Sequence, residues 1–319
     1  MTTNTPELVG IDDVGITDLA IIVPAYNEGT TIAETVLALK SIKSKLLESG
    51  IRQTIYVVDD GSKDETAEEA VSAGVDKLVT HKLNKGLGAA VRSGLEAAHN
   101  DGADICVKFD ADLQHDPFDI LRLIEPLIND DADIVYGHRF NGIEYKMPFI
   151  RRAGNIVFSR LMKFLTGWPL KDSQPGIFAV TKEYTKSFYL PGDYNYTQQI
   201  LLDAFHKGMR FQHVDVTFKK RETGKSFISL KYPLKVLPQI LMVIVGVRPL
   251  FVFAPVGFLF LTLAFGLSCW EIAEWGFGIT DKPIVHVNAI MGLSFFGMQA
   301  LFFGLLAHLV VELDKRRNN

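Results

Sequence analysis

The stretch QTIYVVDDG, residues 53–61, is an apolar, β-branched run that stops at two acids and a glycine. This pattern predicts a buried strand that ends in a turn. Similar apolar runs lie at 19–23 and 105–109, and segments of helical periodicity at 30–47 and 87–100 alternate with them. Alternation of this kind predicts an α/β fold, in which a mostly parallel sheet is covered by helices on both faces.

Polar side chains follow the predicted strands, at the end of an open α/β sheet where ligands usually bind. The most informative are Asp110 and Asp112, which come directly after the run 105–109. Two carboxylates spaced in this way at a strand end lie on the same side and can hold a hard divalent cation. Such a cation can bridge the diphosphate of a nucleotide and neutralise its charge as it leaves. Taken alone, the tripeptide is more typical of a solvated strand end than of a metal site.

The composition indicates a membrane region. Charged residues make up 22% of the chain, as in a soluble protein, but hydrophobic residues reach 48% and the mean hydropathy is +0.16. The apolar excess lies near the C-terminus, where residues 251–270 and 284–311 carry no formal charge. Since a helix crosses a bilayer with about 20 apolar residues, the sequence predicts two C-terminal transmembrane helices.

A shorter apolar run, 236–247, lies between Lys235 and Arg248 and contains Pro238. As a helix it would be only about 18 Å long, which favours an interfacial segment over a span. The predicted organisation is therefore a polar N-terminal tail (1–18), a catalytic domain (19–228), an interfacial amphipathic segment (229–248), a membrane region (249–311) and a basic tail (312–319).

Charge asymmetry predicts the orientation in the membrane. Basic residues flank the membrane region on the side of both termini, whereas the loop between the spans is mainly acidic. The positive-inside rule then predicts a multi-pass protein of the cell membrane, or of the ER membrane in a eukaryote, with a cytoplasmic catalytic domain. The basic flank would also attract anionic lipid headgroups. The soluble part carries no basic stripe interleaved with aromatic residues, so nucleic-acid binding is not predicted. The sequence does not determine the oligomeric state.

Several polar motifs occur in a fixed order along the chain. They are Pro24-Ala25-Tyr26-Asn27-Glu28, Asp59-Asp60-Gly61-Ser62, Asn84-Lys85-Gly86-Leu87-Gly88, Asp110-Ala111-Asp112-Leu113-Gln114-His115, Gly137-His138-Arg139 and Arg221-Glu222-Thr223-Gly224-Lys225-Ser226. The set resembles family 2 glycosyltransferases of the GT-A fold, and among them dolichyl- or polyprenyl-phosphate mannose synthases and dolichyl-phosphate glucosyltransferases. The resemblance covers about residues 19–226.

The resemblance implies a nucleotide diphosphate sugar as donor, a polyprenyl phosphate lipid as acceptor, and Mg²⁺ or Mn²⁺ as cofactor. The implied metal ligands are Asp110, Asp112 and Gln114. The implied nucleotide-sugar site comprises Pro24, Tyr26, Glu28, Asp60, Asp110 and Arg139. The implied phosphate and acceptor site comprises Arg151, Arg152, Arg221, Lys225 and Ser226. Catalytic roles fall to Asp112, Arg221 and Lys225. For Glu28, a second interpretation is an acid favoured by a helix dipole.

The nature of the acceptor can be argued from a missing base. Transfer to a hydroxyl needs a general base, which many family 2 enzymes supply from an acid late in the domain. This chain has Gln198 and Gln199 in that region, although Asp203 follows and could serve. A phosphate monoester, with a second pKa near ~6, is already an ionised nucleophile at neutral pH. The sequence therefore favours polyprenyl phosphate over a sugar hydroxyl.

We accordingly expect an inverting, metal-dependent hexosyltransferase that supplies lipid-linked sugar for glycosylation. Two alternatives stay open: transfer to a lipid or glycan hydroxyl, and a non-catalytic membrane subunit. Uridine and guanine diphosphosugars would share the metal and phosphate contacts, so the donor also stays open. In the region that matches the family's acceptor loop, Asp172, Gly176 and Phe178 fit the pattern, whereas Pro175 departs from it.

Overall fold

The computed structural model describes residues 17–138, 156, 159–160, 162–164, 166–171, 175–190, 196–217, 244–246 and 248–318, with the side chains of the last helix up to Leu313. The chain divides into two compact units between Lys225 and Ser226. The first unit carries the predicted strand-end motifs, and the second carries the long apolar stretches.

The first unit is built on a seven-stranded sheet. The strands are β1 (Thr17–Ala25), β2 (Ile51–Asp59), β3 (Lys77–Thr80), β4 (Ile105–Lys108), β5 (Ile134–His138), β6 (Phe178–Thr181) and β7 (Phe211–Asp215). Their order is β3-β2-β1-β4-β6-β5-β7, and β6 runs antiparallel to both of its neighbours while the other pairs are parallel. The predicted mostly parallel sheet is confirmed.

Seven helices of the first unit fall within the described residues. They are α1 (Ile32–Ser41), α2 (Lys43–Glu48), α3 (Thr66–Ser72), α4 (Leu87–Asn100), α5 (Asp119–Ile128), α6 (Lys182–Ser187) and α7 (Tyr196–His206). The segment predicted as helical over 30–47 forms two helices, α1 and α2, which are separated at Ile42 (φ −90°, ψ −2°). Leu39, Ile42 and Leu46 are all fully buried.

Gly94 shows how closely α4 packs on the sheet. A Cβ at this position would overlap Cγ2 of Ile22 and lie 3.1 Å from Cγ2 of Val58. On the other side of β1, Ile21 belongs to the same apolar cluster as Val36 of α1. Neighbouring residues of a strand face opposite sides of the sheet, so α1 and α4 cover opposite faces, as predicted.

Gly94→Ala is expected to destabilise the protein by about 1–3 kcal/mol, because overpacking against Ile22 outweighs the better helix propensity of alanine. Thermal melting of the full-length protein, with Glu96→Ala on the exposed side of α4 as control, should show a lower midpoint for the glycine variant alone. An unchanged midpoint would mean that β1 and α4 can move apart at no cost.

The second unit contains two long helices, α8 (Pro249–Gly276) and α9 (Val287–Asn318). Both are long and apolar enough to cross a membrane, and only 11% of the apolar window of each is buried. They overlap the predicted spans 251–270 and 284–311. α9 continues through most of the predicted basic tail, and most of the predicted interfacial segment 229–248 lies outside the described residues.

Small residues and one acid join the two long helices. A Cβ on Gly257 of α8 would lie 2.9 Å from the carbonyl oxygen of Gly297 on α9, so the two backbones are in close approach. Near the other end of α8, the buried Glu271 carboxylate accepts hydrogen bonds from the backbone N–H groups of Val285 (2.7 Å) and His286 (3.1 Å). These amides directly precede α9, which begins at Val287, three residues after the start of the predicted span.

Candidate active site

The site lies where four parallel strands end beside each other. Ala25 of β1 pairs with Asp59 of β2, Asp59 pairs with Thr80 of β3, and Lys108 of β4 pairs with Ile22 of β1. The loops after these strands therefore share one edge of the sheet. Tyr26, Asp60 and Asp110 follow β1, β2 and β4 respectively. The fold thus brings these three predicted site residues to one edge, as expected for an α/β sheet.

The turn after β4 holds the two predicted metal acids. Ala111 between them is 4% exposed, and its carbonyl oxygen accepts a hydrogen bond from the Thr35 hydroxyl of α1 at 3.2 Å. Leu113 adopts φ +59°, a left-handed conformation that side chains rarely take. This turn brings the N–H of Gln114 within 3.2 Å of Oδ1 of Asp112.

The side chains in this turn fit a hard divalent cation. The Asp110 side chain is 28% exposed, Asp112 is half-buried and Gln114 is 8% exposed. Carboxylate and amide oxygens are the ligands that Mg²⁺ and Mn²⁺ prefer. Within the described ranges, no three His, Cys, Asp or Glu side chains group so that they could hold a metal. A cation here would therefore complete its shell with the substrate diphosphate and water.

Asp110 is paired with a lysine that the sequence analysis did not single out. The Lys108 side chain is 1% exposed, and its Nζ donates to Oδ1 of Asp110 and to the carbonyl oxygen of Gly176 at 2.7 Å. Burial by itself would lower the pKa of Lys108, but the charge of Asp110 and the hydrogen bond to Tyr196 outweigh it and raise that pKa. Lys108 is therefore a buried cation.

Gly176 approaches the acids from the loop before β6. A Cβ at this position would overlap the His115 ring and lie 2.8 Å from Oδ2 of Asp110. His115 itself is 4% exposed and packs edge-on against Phe109, with ring centroids 6.0 Å apart. Only a residue without a side chain fits between these groups.

Asp60 lies in a buried hydrogen-bond network after β2. Oδ1 is 2.6 Å from Nδ1 of His81 and accepts from the N–H of Lys85 at 2.9 Å, and Oδ2 accepts from the N–H of Gly86 at 2.8 Å. On its other side, His81 Nε2 is 2.9 Å from the hydroxyl of Ser93 on α4. The Asp60 side chain is 4% exposed. In this structure its carboxylate holds the loop 81–86 beside the site.

Asp60→Asn is expected to raise the KM for the nucleotide sugar about tenfold. The NH₂ group of asparagine would face a backbone N–H group that now donates to the carboxylate, and that N–H would lose its hydrogen bond. The matched control is Asp59→Asn. Asp59 accepts one hydrogen bond, from the N–H of Ser62 at 3.0 Å, which asparagine can also accept. Steady-state kinetics that gave equal KM values for both variants would contradict this role for Asp60.

A hydrogen bond joins the loop after β1 to the start of α3, which follows β2. Glu28 donates its N–H to the Thr66 hydroxyl at 2.9 Å, and its Oε2 accepts from the Thr31 hydroxyl at 3.0 Å. Glu28 lies four residues before α1, and both interpretations of this acid stay open. Tyr26 is 41% exposed, and Pro24 is buried in β1. Their predicted contacts with a nucleotide stay predictions.

Asp203, the acid that could serve as a general base, is engaged elsewhere. Both oxygens of Asp203 accept from Nζ of Lys207 at 2.7 Å, and Oδ2 also accepts from the N–H of Tyr189 at 3.1 Å. Gln198 is 1% exposed. Asp203 therefore stabilises the packing of α7 on the segment before it.

The remaining predicted site residues lie outside the described residues, so their roles stay predictions. They are Arg139, Arg151, Arg152, Arg221, Lys225 and Ser226.

The sequence carried a signal for Lys108 that our prediction overlooked. Lys108 interrupts the apolar run 105–109, and a central strand of a covered sheet is buried on both faces. A lysine there needs a buried partner, and Asp110, two residues on, shares its side of the chain. Gly176 and His81 lie far from their partners in sequence, and the motif positions alone do not connect them.

Comparison with known proteins agrees with the fold and the strand-end motifs. The model of glycosyl transferase family 2 matches residues 20–188. A UDP-N-acetylglucosamine–dolichyl-phosphate N-acetylglucosaminyltransferase of Methanococcus voltae is 37% identical over 184 residues, which cover 52% of this chain and 70% of that protein. Glycosyltransferase AglJ of Haloferax volcanii is 27% identical over 313 residues, which cover 94% of this chain and 95% of that protein.

Among solved structures, glucosyl-3-phosphoglycerate synthase of Mycobacterium tuberculosis, in complex with Mn²⁺, UDP-glucose and phosphoglyceric acid, is similar with a TM-score of 0.54 and 22% identity. The match covers 72% of this chain and 78% of that one. At this identity the likeness shows the fold, which is the predicted GT-A type. The family resemblance inferred from the motifs is thus confirmed, and the chain belongs to glycosyl transferase family 2 and is a glycosyltransferase.

Proposed function

We propose that this glycosyltransferase moves one hexose, with inversion, from a nucleotide diphosphate sugar to a polyprenyl phosphate at the cytoplasmic face of a membrane. The observation that carries the proposal is the acidic turn after β4, located at the sheet edge where the β1 and β2 loops meet, in a chain with two helices of membrane-spanning length. The name of the Methanococcus voltae relative, which includes dolichyl phosphate, supports the lipid acceptor.

The donor would bind along the edge formed by the β1, β2 and β4 loops. Asp112 and Gln114, with Asp110 beside them, would hold Mg²⁺ or Mn²⁺ against the diphosphate. The cation would supply charge neutralisation as the nucleoside diphosphate leaves. The Mn²⁺ and UDP-glucose in the solved structure of similar fold support this arrangement. Arg139, Arg151 and Arg152 are proposed to bind phosphate oxygens as well, since planar guanidinium groups suit them.

The acceptor argument becomes stronger once the contacts of α7 are known. Asp203 is bound to Lys207 and to the N–H of Tyr189, so it is poorly available as a general base. A phosphate monoester needs no base, because one of its oxygens is already ionised and can attack the anomeric carbon directly. Arg221, Lys225 and Ser226, which precede the membrane region in the sequence, are proposed to bind that phosphate.

We further propose that α8 and α9 cross the membrane and that the catalytic unit faces the cytoplasm. The support is the exposed apolar surface of both helices and the excess of basic residues on the side of the termini. Phe258, Phe265 and Phe302, for example, are each at least 60% exposed. In water such a surface would be costly, whereas in lipid it is favourable.

We expect membranes containing the protein to transfer label from one of a panel of nucleotide sugars to polyprenyl phosphate, and at least about 10²-fold less to the matching polyprenol. The alcohol still carries its proton, and no base is supplied to remove it. The measurement is the labelled lipid recovered by thin-layer chromatography, with empty membranes as control.

Equal transfer to polyprenol would favour the alternative, a transferase acting on hydroxyl groups. Donor binding by calorimetry without any transfer would favour a non-catalytic membrane subunit.

A further inference from the structure

We infer that Lys108 is a positioning residue of the donor site, whose buried ammonium holds the Asp110 carboxylate and balances its charge next to the site of a divalent cation. The inference rests on the metal site proposed above and concerns a residue to which no motif assigns a role.

The first argument is the location of the lysine. In the part of the chain that the structure describes, Lys108 is the one buried lysine or arginine. It lies on β4, between β1 and β6, with Ile22 and Phe178 as its strand partners. A charge in such a place is costly unless it is paired and hydrogen-bonded.

The second argument is the set of partners. Lys108 Nζ reaches Oδ1 of Asp110 and the carbonyl oxygen of Gly176, and the Tyr196 hydroxyl is a further hydrogen-bond partner. An ammonium has three N–H groups, and these contacts occupy all of them. The ammonium is therefore fixed, and it fixes one oxygen of Asp110 in turn.

The third argument is that the second oxygen of Asp110 is not held by Lys108. Oδ2 of Asp110 lies on the other side of the carboxylate, near His115 Nε2 at 4.0 Å, and the side chain as a whole is 28% exposed. Lys108 itself is 1% exposed and does not reach a ligand. It acts through Asp110, and the net charge of the pair is close to zero.

A double-mutant cycle, in which each single variant changes the net charge by one unit, tests this inference. The full-length protein in nanodiscs is titrated with Mn²⁺ alone, without nucleotide, and free Mn²⁺ is measured by electron paramagnetic resonance. Lys108→Met is expected to lower the Kd for Mn²⁺ about tenfold, because it removes one positive charge next to the site. Asp110→Asn is expected to raise that Kd about tenfold. These changes are within the range expected for one unit charge a few ångströms away.

The double variant, Lys108→Met with Asp110→Asn, restores neutrality and is expected to bind Mn²⁺ within about twofold of the wild type. It also replaces the buried ion pair by neutral groups of similar shape, so it keeps the test valid if Lys108→Met alone does not fold. A double variant that binds Mn²⁺ as weakly as Asp110→Asn would overturn the inference, since a merely structural lysine would not offset the lost carboxylate.

Asp112→Ala separates this inference from the proposed function. If Asp112→Ala loses Mn²⁺ binding while the cycle shows no offset, the metal site stands and the role of Lys108 is wrong. If Asp112→Ala binds Mn²⁺ like the wild type, the metal site itself is wrong, and the inference about Lys108 fails with it.

Discussion

Asp112→Ala is expected to lower the rate of sugar transfer by about 10³-fold. In our proposal Asp112 supplies a charged ligand to the cation, whereas the charge of Asp110 is balanced by Lys108. Without it the cation would be lost from the diphosphate, and with it several kcal/mol of stabilisation of the leaving group. Each factor of ten in rate corresponds to about 1.4 kcal/mol, so a loss of this size is about 4 kcal/mol.

The matched control is Asp116→Asn, four residues further along the same loop. Asp116 Oδ1 accepts a hydrogen bond from the N–H of Phe118 at 3.0 Å, just before α5. Asparagine can accept the same bond, so this variant should transfer sugar at close to the normal rate. The assay uses membranes stripped with chelator and then given Mg²⁺ or Mn²⁺. Full activity of Asp112→Ala, or activity without any divalent ion, would contradict the metal-dependent mechanism.

Gly176→Ala is expected to lower the rate by at least about 10²-fold, although it adds only one methyl group. That methyl would overlap the His115 ring and lie 2.8 Å from Oδ2 of Asp110. Neither neighbour can move away easily, because His115 packs against Phe109 and Asp110 is held by Lys108. The added methyl therefore forces the loop and the Asp110 carboxylate apart against these contacts, and a shift of about 1 Å at a reacting centre can cost about 10²-fold in rate.

Two further variants make the test of Gly176 specific. Gly266→Ala on α8 adds a methyl with no heavy atom within 4 Å and should leave transfer unchanged. His115→Ser removes the ring that the new methyl meets, so combining it with Gly176→Ala should recover part of the activity. If the single variant keeps normal activity, or if the double variant is no better than the single one, the close packing of this loop does not limit catalysis.

The order of strands and helices follows from local patterns of the sequence. The segment 87–100, predicted as helical, agrees with α4 to the residue, since a turn and the change to helical periodicity mark its start. The break between α1 and α2 at Ile42 was missed, because the apolar spacing continues across it through Leu39, Ile42 and Leu46.

For the site, the sequence indicated the right sheet edge and the acids that line it. It also indicated a family of enzymes, which the match to glycosyl transferase family 2 confirms. It gave Asp60 a role in contacting the nucleotide, whereas the structure places that carboxylate in a buried network with His81, Lys85 and Gly86. Three donors on one carboxylate indicate that Asp60 acts at least partly by shaping the loop.

The sequence by itself determined the α/β architecture, the two long apolar helices and the acidic turn after β4, because periodicity, length and the spacing of adjacent residues are local properties. Only the tertiary structure decided which buried charges are paired and which positions near the site have no room for a side chain. Lys108 forms a hydrogen bond with Gly176, which lies 68 residues further along the chain, and Asp60 forms one with His81, 21 residues further along. The physical reason is that a buried charge must find partners within hydrogen-bond distance in a medium of low dielectric, and folding alone brings those partners together.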